Sequence, residues 1–146
     1  MIYADSNFIV SLYVVRGHSP AAFTALRSLP VDQRAVPFTW LHQIEVINAF
    51  HRTAFLTNKD ANNALAATAI LESDLAAHRR VDWVPTPLAR VQTLARQLTE
   101  RHTARQGYRT YDVLHVASAL ALGAHSFWTF DTDADSLAKA EGLKVL

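Results

Sequence analysis

Four carboxylates spread along the chain are the residues with chemistry in them: Asp5, Glu45, Asp112 and Asp131. Carboxylates unaccompanied by cysteine are hard oxygen ligands, suited to magnesium or manganese. Gathered around such a cation, they activate water and stabilise the leaving oxygen of a phosphodiester. That chemistry requires convergence, because each acid alone has a structural account. Asp5, before Ser6 and Asn7, and Asp131, before Thr132 and Asp133, both suit helix N-caps. Asp112 suits a first helical turn, where the helix dipole favours an acid. Glu45, with His42, Asn48 and Arg52, forms a polar edge opposite Leu41, Ile44, Ile47 and Phe55, the pattern of a solvated amphipathic face.

The elements that would position these acids follow from caps and periodicity. Residues 1–4 form an apolar tetrapeptide that predicts a short strand, and the turn formers Asp5, Ser6 and Asn7 precede a helix starting near Phe8. Residues 19–28, with Pro20 early, predict a second helix. Residues 36–38 predict a strand, after which Thr39 caps a helix through about Leu56. Asp60 caps the next helix, where Ala64, Ala67, Leu71 and Leu75 recur at three- and four-residue steps. Residues 81–84 predict a third strand. Thr86 and Pro87 then open a helix with the stripe Leu88, Val91, Leu94 and Leu98. Gly107 breaks the chain, Thr110 begins a helix that Gly123 ends, and residues 126–130 predict a fourth strand. A last helix over residues 134–141 and a short strand over 144–146 close the chain.

Strands alternating with helices predict an α/β domain with a mostly parallel sheet. Sites in such sheets lie at the carboxyl ends of strands, so Asp5 and Asp131 are expected at one rim. From Asp112 to Leu122 the only polar side chains are Asp112, His115 and Ser118, spaced by three along one edge of an apolar helix. A buried carboxylate there is costly unless paired or bound to a metal.

The chain's 146 residues suit one domain, 1–146, and its 50% hydrophobic content supports a packed core. The absence of cysteine excludes disulfides, thiolate metal sites and a cysteine nucleophile. No apolar run has membrane-spanning length and the start lacks a basic stretch before an apolar one, so a cytoplasmic protein without membrane association is expected. Only 18% of residues are charged, which leaves room for an apolar partner face. Seven arginines between Arg79 and Arg109 face only Asp82 and Glu100 in that segment, while five acids outnumber two lysines from Thr110 onward. A basic stretch beside an acidic one could set phosphate attraction beside metal attraction; a solvated surface accounts for it equally. The four glycines form no phosphate-binding loop. A calcium loop starting at Asp131 fails too, with Ser136 at its glycine position and Gly142 at its glutamate position.

The chain resembles the PIN-domain nucleases in four places. Asp5-Ser6-Asn7 after a leading strand resembles the family's opening motif, and Val36-Pro37-Phe38-Thr39 leading to Glu45 its second. The stretch from Tyr111 to Ala119 looks like the third. Phe127-Trp128-Thr129-Phe130-Asp131, followed by Leu137, Ala138, Gly142, Leu143 and Val145, looks like the last. The short chain is most similar to VapC-type toxins of toxin–antitoxin pairs. The resemblance implies a PIN-like three-layer fold, a short parallel central sheet flanked by about seven helices. It implies a Mg2+- or Mn2+-dependent endoribonuclease, a homodimer, silenced by a VapB-type antitoxin. It makes Asp5, Glu45, Asp112 and Asp131 the catalytic acids, with Asp5, Asp112 and Asp131 on the metal. Ser6 and Asn7 would position substrate or the first acid, with Asp133 and His115 behind. Asp131, Asp133 and Asp135 alternate, which leaves open whether Asp131 or Asp133 is the fourth acid. The competing readings are a catalytically weak RNA-binding or interaction module on the same fold and a structure-specific DNA nuclease.

Overall fold

The computed structural model describes residues 1–15, 17–58 and 60–146. The chain divides into two compact units, residues 1–5 with 85–146, and residues 6–84.

In the first unit, β1 (Ile2–Ala4) pairs in parallel with β4 (Ser126–Trp128), and β4 pairs in parallel with β5 (Lys144–Val145). The register sets Ala4 opposite Trp128, so the residues that follow the two strands leave the sheet at the same end. Helix α5 (Leu88–Leu98) packs against α7 (Thr110–Ala121), and α7 packs against α8 (Thr132–Ala140). Eight of the twelve α7 residues are buried, as its nearly continuous apolar character predicts. The core joins Tyr3, Val91, Leu98, Val116, Phe127 and Leu137. Tyr3 and Phe127 stack at 5.8 Å across the paired strands. Burying rings of this size contributes about 2–3 kcal/mol each, enough to fix the short β1–β4 register.

In the second unit, α1 (Ser6–Val10) packs on α3 (Trp40–Leu56), which packs on α4 (Ala61–Ala76). Strands β2 (Val36–Phe38) and β3 (Val81–Trp83) pair in parallel, and α2 (Ser19–Ser28) starts with proline in its first turn. The cap residues act as expected: Thr39 precedes α3, and Asp60 accepts the Asn62 backbone N–H at 3.0 Å.

The parallel α/β class holds, but the described strands form a three-stranded and a two-stranded sheet rather than one. Other differences are local. Helix α3 buries Leu41, His42, Val46, Phe50 and Ala54, while Ile44 and Phe55, assigned above to the apolar face, are exposed. His42 can lie on the buried face because its Nδ1 accepts the Thr39 backbone N–H at 3.0 Å, which satisfies the ring inside the core. Leu88 is exposed at the start of α5, and the helical path runs past Leu98 through a π-helical turn (Thr99–Thr103) into α6 (Ala104–Gln106). Gly107 stops it at φ +72°, a conformation that suits glycine.

Candidate active site

The site grows from the first turn of α7. Asp112, buried there, turns its side chain back to accept the Arg109 backbone N–H at 3.2 Å, satisfying a donor that the helix leaves free. The Arg109 guanidinium closes on the same carboxylate, with Nε 3.0 Å from Oδ2 and Nη2 3.3 Å from Oδ1. The same Nη2 donates to Asp131 Oδ2 at 2.7 Å. One cation therefore joins two acids 19 residues apart in sequence. These bonds, to Asp112 first and Asp131 second, hold the Arg109 pKa above its ordinary value.

Asp131 caps α8. Its Oδ1 accepts the backbone N–H groups of Asp133 at 2.9 Å and Ala134 at 3.2 Å. The helix thus begins at Thr132, not near Ala134, and the strand ends at Trp128, so Asp131 stands three residues past it rather than directly at its end. Capping and clustering coexist because the two oxygens divide the tasks. Partial burial pushes the Asp131 pKa up, but the Ala134 N–H, Arg109 and the Asp133 N–H outweigh it and hold the carboxyl below its ordinary value.

Asp5 is buried at the end of β1, where its backbone N–H bonds the Trp128 carbonyl at 2.9 Å. Its Oδ2 accepts from Thr129 Oγ1 at 2.5 Å, and that hydroxyl oxygen accepts the Asp131 backbone N–H at 2.9 Å. Parallel pairing thus brings Asp5 and Asp131 to one sheet end, as expected, with Thr129 between them.

Among the described residues, Asp112, Asp131 and Asp133 each offer a ligand atom within 4.8 Å of the others. They grade from buried through half-buried to exposed. An all-carboxylate set open to solvent on one side fits magnesium or manganese, which favour oxygen donors and retain water. Asp133, assigned above a supporting role, stands inside this group.

Glu45, Ser6 and Asn7 belong to the second unit. Ser6 Oγ donates to Glu45 Oε2 at 2.8 Å, which anchors the residue directly after Asp5 in the chain. The Asn7 carbonyl accepts from Ser11 Oγ at 2.9 Å. His115 is buried on α7, and its Nδ1 shares a hydrogen bond of 2.9 Å with Tyr3 Oη.

Sequence reasoning missed three groups. Arg109 carried only the faint signal of a basic residue three before an acid at a helix start. Thr129 stood inside the last motif but was given no role there. Asp74, buried on α4, accepts from Tyr13 Oη at 3.1 Å and pairs with Arg79 at 2.9 Å and with Arg80. Burial first and the Asp74 charge second push the Tyr13 pKa well up.

Aspartates gathered beyond the ends of parallel strands define a fold and site suited to a hard divalent cation. The profile of the PIN domain family matches residues 2–140, and the chain belongs to that family. Among solved structures the fold is similar to VapC20 of Mycobacterium tuberculosis, a sarcin–ricin-loop-cleaving toxin. The TM-score is 0.67 at 20% identity, over 93% of this chain and 94% of that one. It is also similar to FitAcB of Neisseria gonorrhoeae, with TM-score 0.69 at 18% identity over 100% and 96%. VapBC2 of Rickettsia felis, solved with a fragment of promoter DNA, gives TM-score 0.68 at 15% identity over 100% and 98%. No curated protein sequence matches this chain.

Proposed function

We propose that this chain is a Mg2+- or Mn2+-dependent endoribonuclease and the toxin of a toxin–antitoxin pair. The observation that carries the reading is the convergence of Asp112, Asp131 and Asp133 within 4.8 Å in a PIN-family chain. Asp112, Asp131 and Asp133 would hold the cation through their carboxylates. Bound there, the cation supplies Lewis acidity toward a phosphodiester and lowers the pKa of water. Asp5, fixed by Thr129, contributes a buried negative charge at the sheet end, which favours a cation. The family resemblance would make Glu45, which accepts from Ser6 Oγ, a further catalytic acid, with Ser6 and Asn7 positioning the substrate. The exposed arginines Arg90 and Arg105 supply positive charge for RNA phosphates.

The partner reading rests on α3 and α4. Phe55, Leu56, Leu65 and Ile70 are large, apolar and exposed, beside a cleft of about 220 Å³ lined by Tyr13, Phe50, Ala54, Ala64, Ala67 and Ile70. Surfaces of this kind mark interfaces, and we assign this one to a VapB-type antitoxin; the FitAcB and VapBC2 structures are similar in fold. We assign homodimerisation to the chain as well, and a cytoplasmic site of action. Among the described residues no helix is long and apolar enough to cross a membrane.

The deciding experiment incubates purified protein and Asp112→Asn with RNA in Mg2+, Mn2+ or a chelator. Cleavage that needs the cation and disappears in the variant supports the enzyme. RNA retained without cleavage selects the binding module, and cleavage of structured DNA alone selects the DNA nuclease.

A further inference from the structure

Two of the three clustered carboxylates, those of Asp112 and Asp131, are already held by Arg109. Its guanidinium takes Asp112 Oδ1 and Oδ2 and Asp131 Oδ2, whereas Asp131 Oδ1 is spent on the α8 backbone. A divalent ion entering among these atoms would share them with a fixed positive charge a few ångströms away, which is repulsive. The geometry lets the guanidinium leave. The Arg109 side chain is 63% exposed, so solvent lies beside it. Its backbone N–H meanwhile stays on Asp112, so the start of α7 survives the departure.

We propose that Arg109 is an intramolecular counter-ion, which holds Asp112 and Asp131 together in the metal-free protein and gives them up to the divalent cation. The proposal rests on the metal reading above and deepens it. Without the guanidinium, three carboxylates within 4.8 Å would repel one another, so the arginine keeps the site assembled until the cation arrives. The consequence is competition. A guanidinium seated about nine-tenths of the time raises the apparent dissociation constant about tenfold, because only the open fraction binds.

The test is calorimetric titration of Mn2+ into the full chain, Arg109→Gln and Asp112→Asn, with thermal melts of each without metal. The proposal expects Arg109→Gln to bind Mn2+ about tenfold more tightly than wild type while melting lower without metal, and Asp112→Asn to bind far more weakly than either. Equal or weaker binding by Arg109→Gln, with binding still lost in Asp112→Asn, overturns the exchange and leaves the metal site standing. Absence of saturable binding by wild type and Arg109→Gln alike overturns both. A measurement on wild type alone guards against a variant that folds poorly. The Arg109 Nε–H resonance should shift on titration with diamagnetic Mg2+ and saturate with the calorimetric affinity. A resonance that stays fixed while Mg2+ binds sinks the exchange.

Discussion

The Thr129 hydroxyl sits 2.5 Å from Asp5 Oδ2, and the two residues are 124 positions apart in sequence. The same oxygen accepts the Asp131 backbone N–H, so one buried hydroxyl sets a carboxylate after β1 and the cap of α8. Thr129→Val keeps the volume and removes both bonds. A lost hydrogen bond to a buried charged group costs about 1.5–3 kcal/mol, and urea unfolding should show a loss in that range. Thr129→Ser should recover most of it. A Thr129→Val protein as stable as wild type would show that the hydroxyl does not restrain Asp5.

Metal should stabilise the fold through the acids. Added Mg2+ or Mn2+ binds only the folded site and raises the melting temperature. The rise should be larger in wild type than in Asp5→Asn. Equal shifts in the two proteins would mean that Asp5 does not sense the cation.

The three late aspartates should separate by position. Asp131→Asn should abolish most RNA cleavage, and Asp133→Asn should weaken Mn2+ binding, since both offer oxygens to the cluster. Asp135 instead pairs with Lys139 at 2.7 Å on the α8 surface. Asp135→Asn should keep full activity and lose only a few tenths of a kcal/mol, as exposed pairs one helical turn apart do. Cleavage assays and melts on the three proteins read both effects.

Acid sensitivity follows from Asp131. Its folded pKa lies below the ordinary 3.8, so it contributes stability above its unfolded pKa, and that contribution is lost as pH falls through the folded value. Lowering the pH from about 5 to about 3 should therefore destabilise wild type more than Asp131→Asn. Parallel melting curves across that window would contradict the shift.

Asp74 offers a test in the second unit. Its buried carboxylate faces Arg79, Arg80 and Tyr13. Removing one member of a buried charged group costs about 3–5 kcal/mol, so Asp74→Asn should lower the denaturation midpoint by far more than Asp135→Asn does. Arg79 is half exposed and its loss should matter much less.

Much of this architecture was readable from local chemistry. Thr39, Asp60, Pro20, Gly107 and Gly123 marked helix ends because capping and left-handed turns depend on few neighbours. Asp5 and Asp131 were nameable because a parallel sheet sends the ends of its strands to one side, and Asp112 because it opens an otherwise apolar helix. The rest depended on distant partners. His42 looks polar in sequence and is core in the fold, where its ring is satisfied by a buried N–H, and the packing of α3 against α1 and α4 sets its buried face. Arg109 shows a spacing to Asp112 but none to Asp131, which α8 brings to it. Asp133 was expected only behind the acids, and the cap made by Asp131 Oδ1 sets it at the start of α8 beside Asp112 and Asp131.

The parallel pairing of β1 with β4 also orders the history of the molecule. Asp5 is synthesised well before its sheet neighbour Trp128 and its hydroxyl partner Thr129, which come after a separate compact unit. Closing so long a loop costs about 4 kcal/mol in chain entropy, and contacts this distant in sequence slow folding. A chain cut short before Thr129 therefore holds Asp5 and Asp112 without Thr129 or the α8 cap, and the acid cluster is assembled only after the start of α8 has been made.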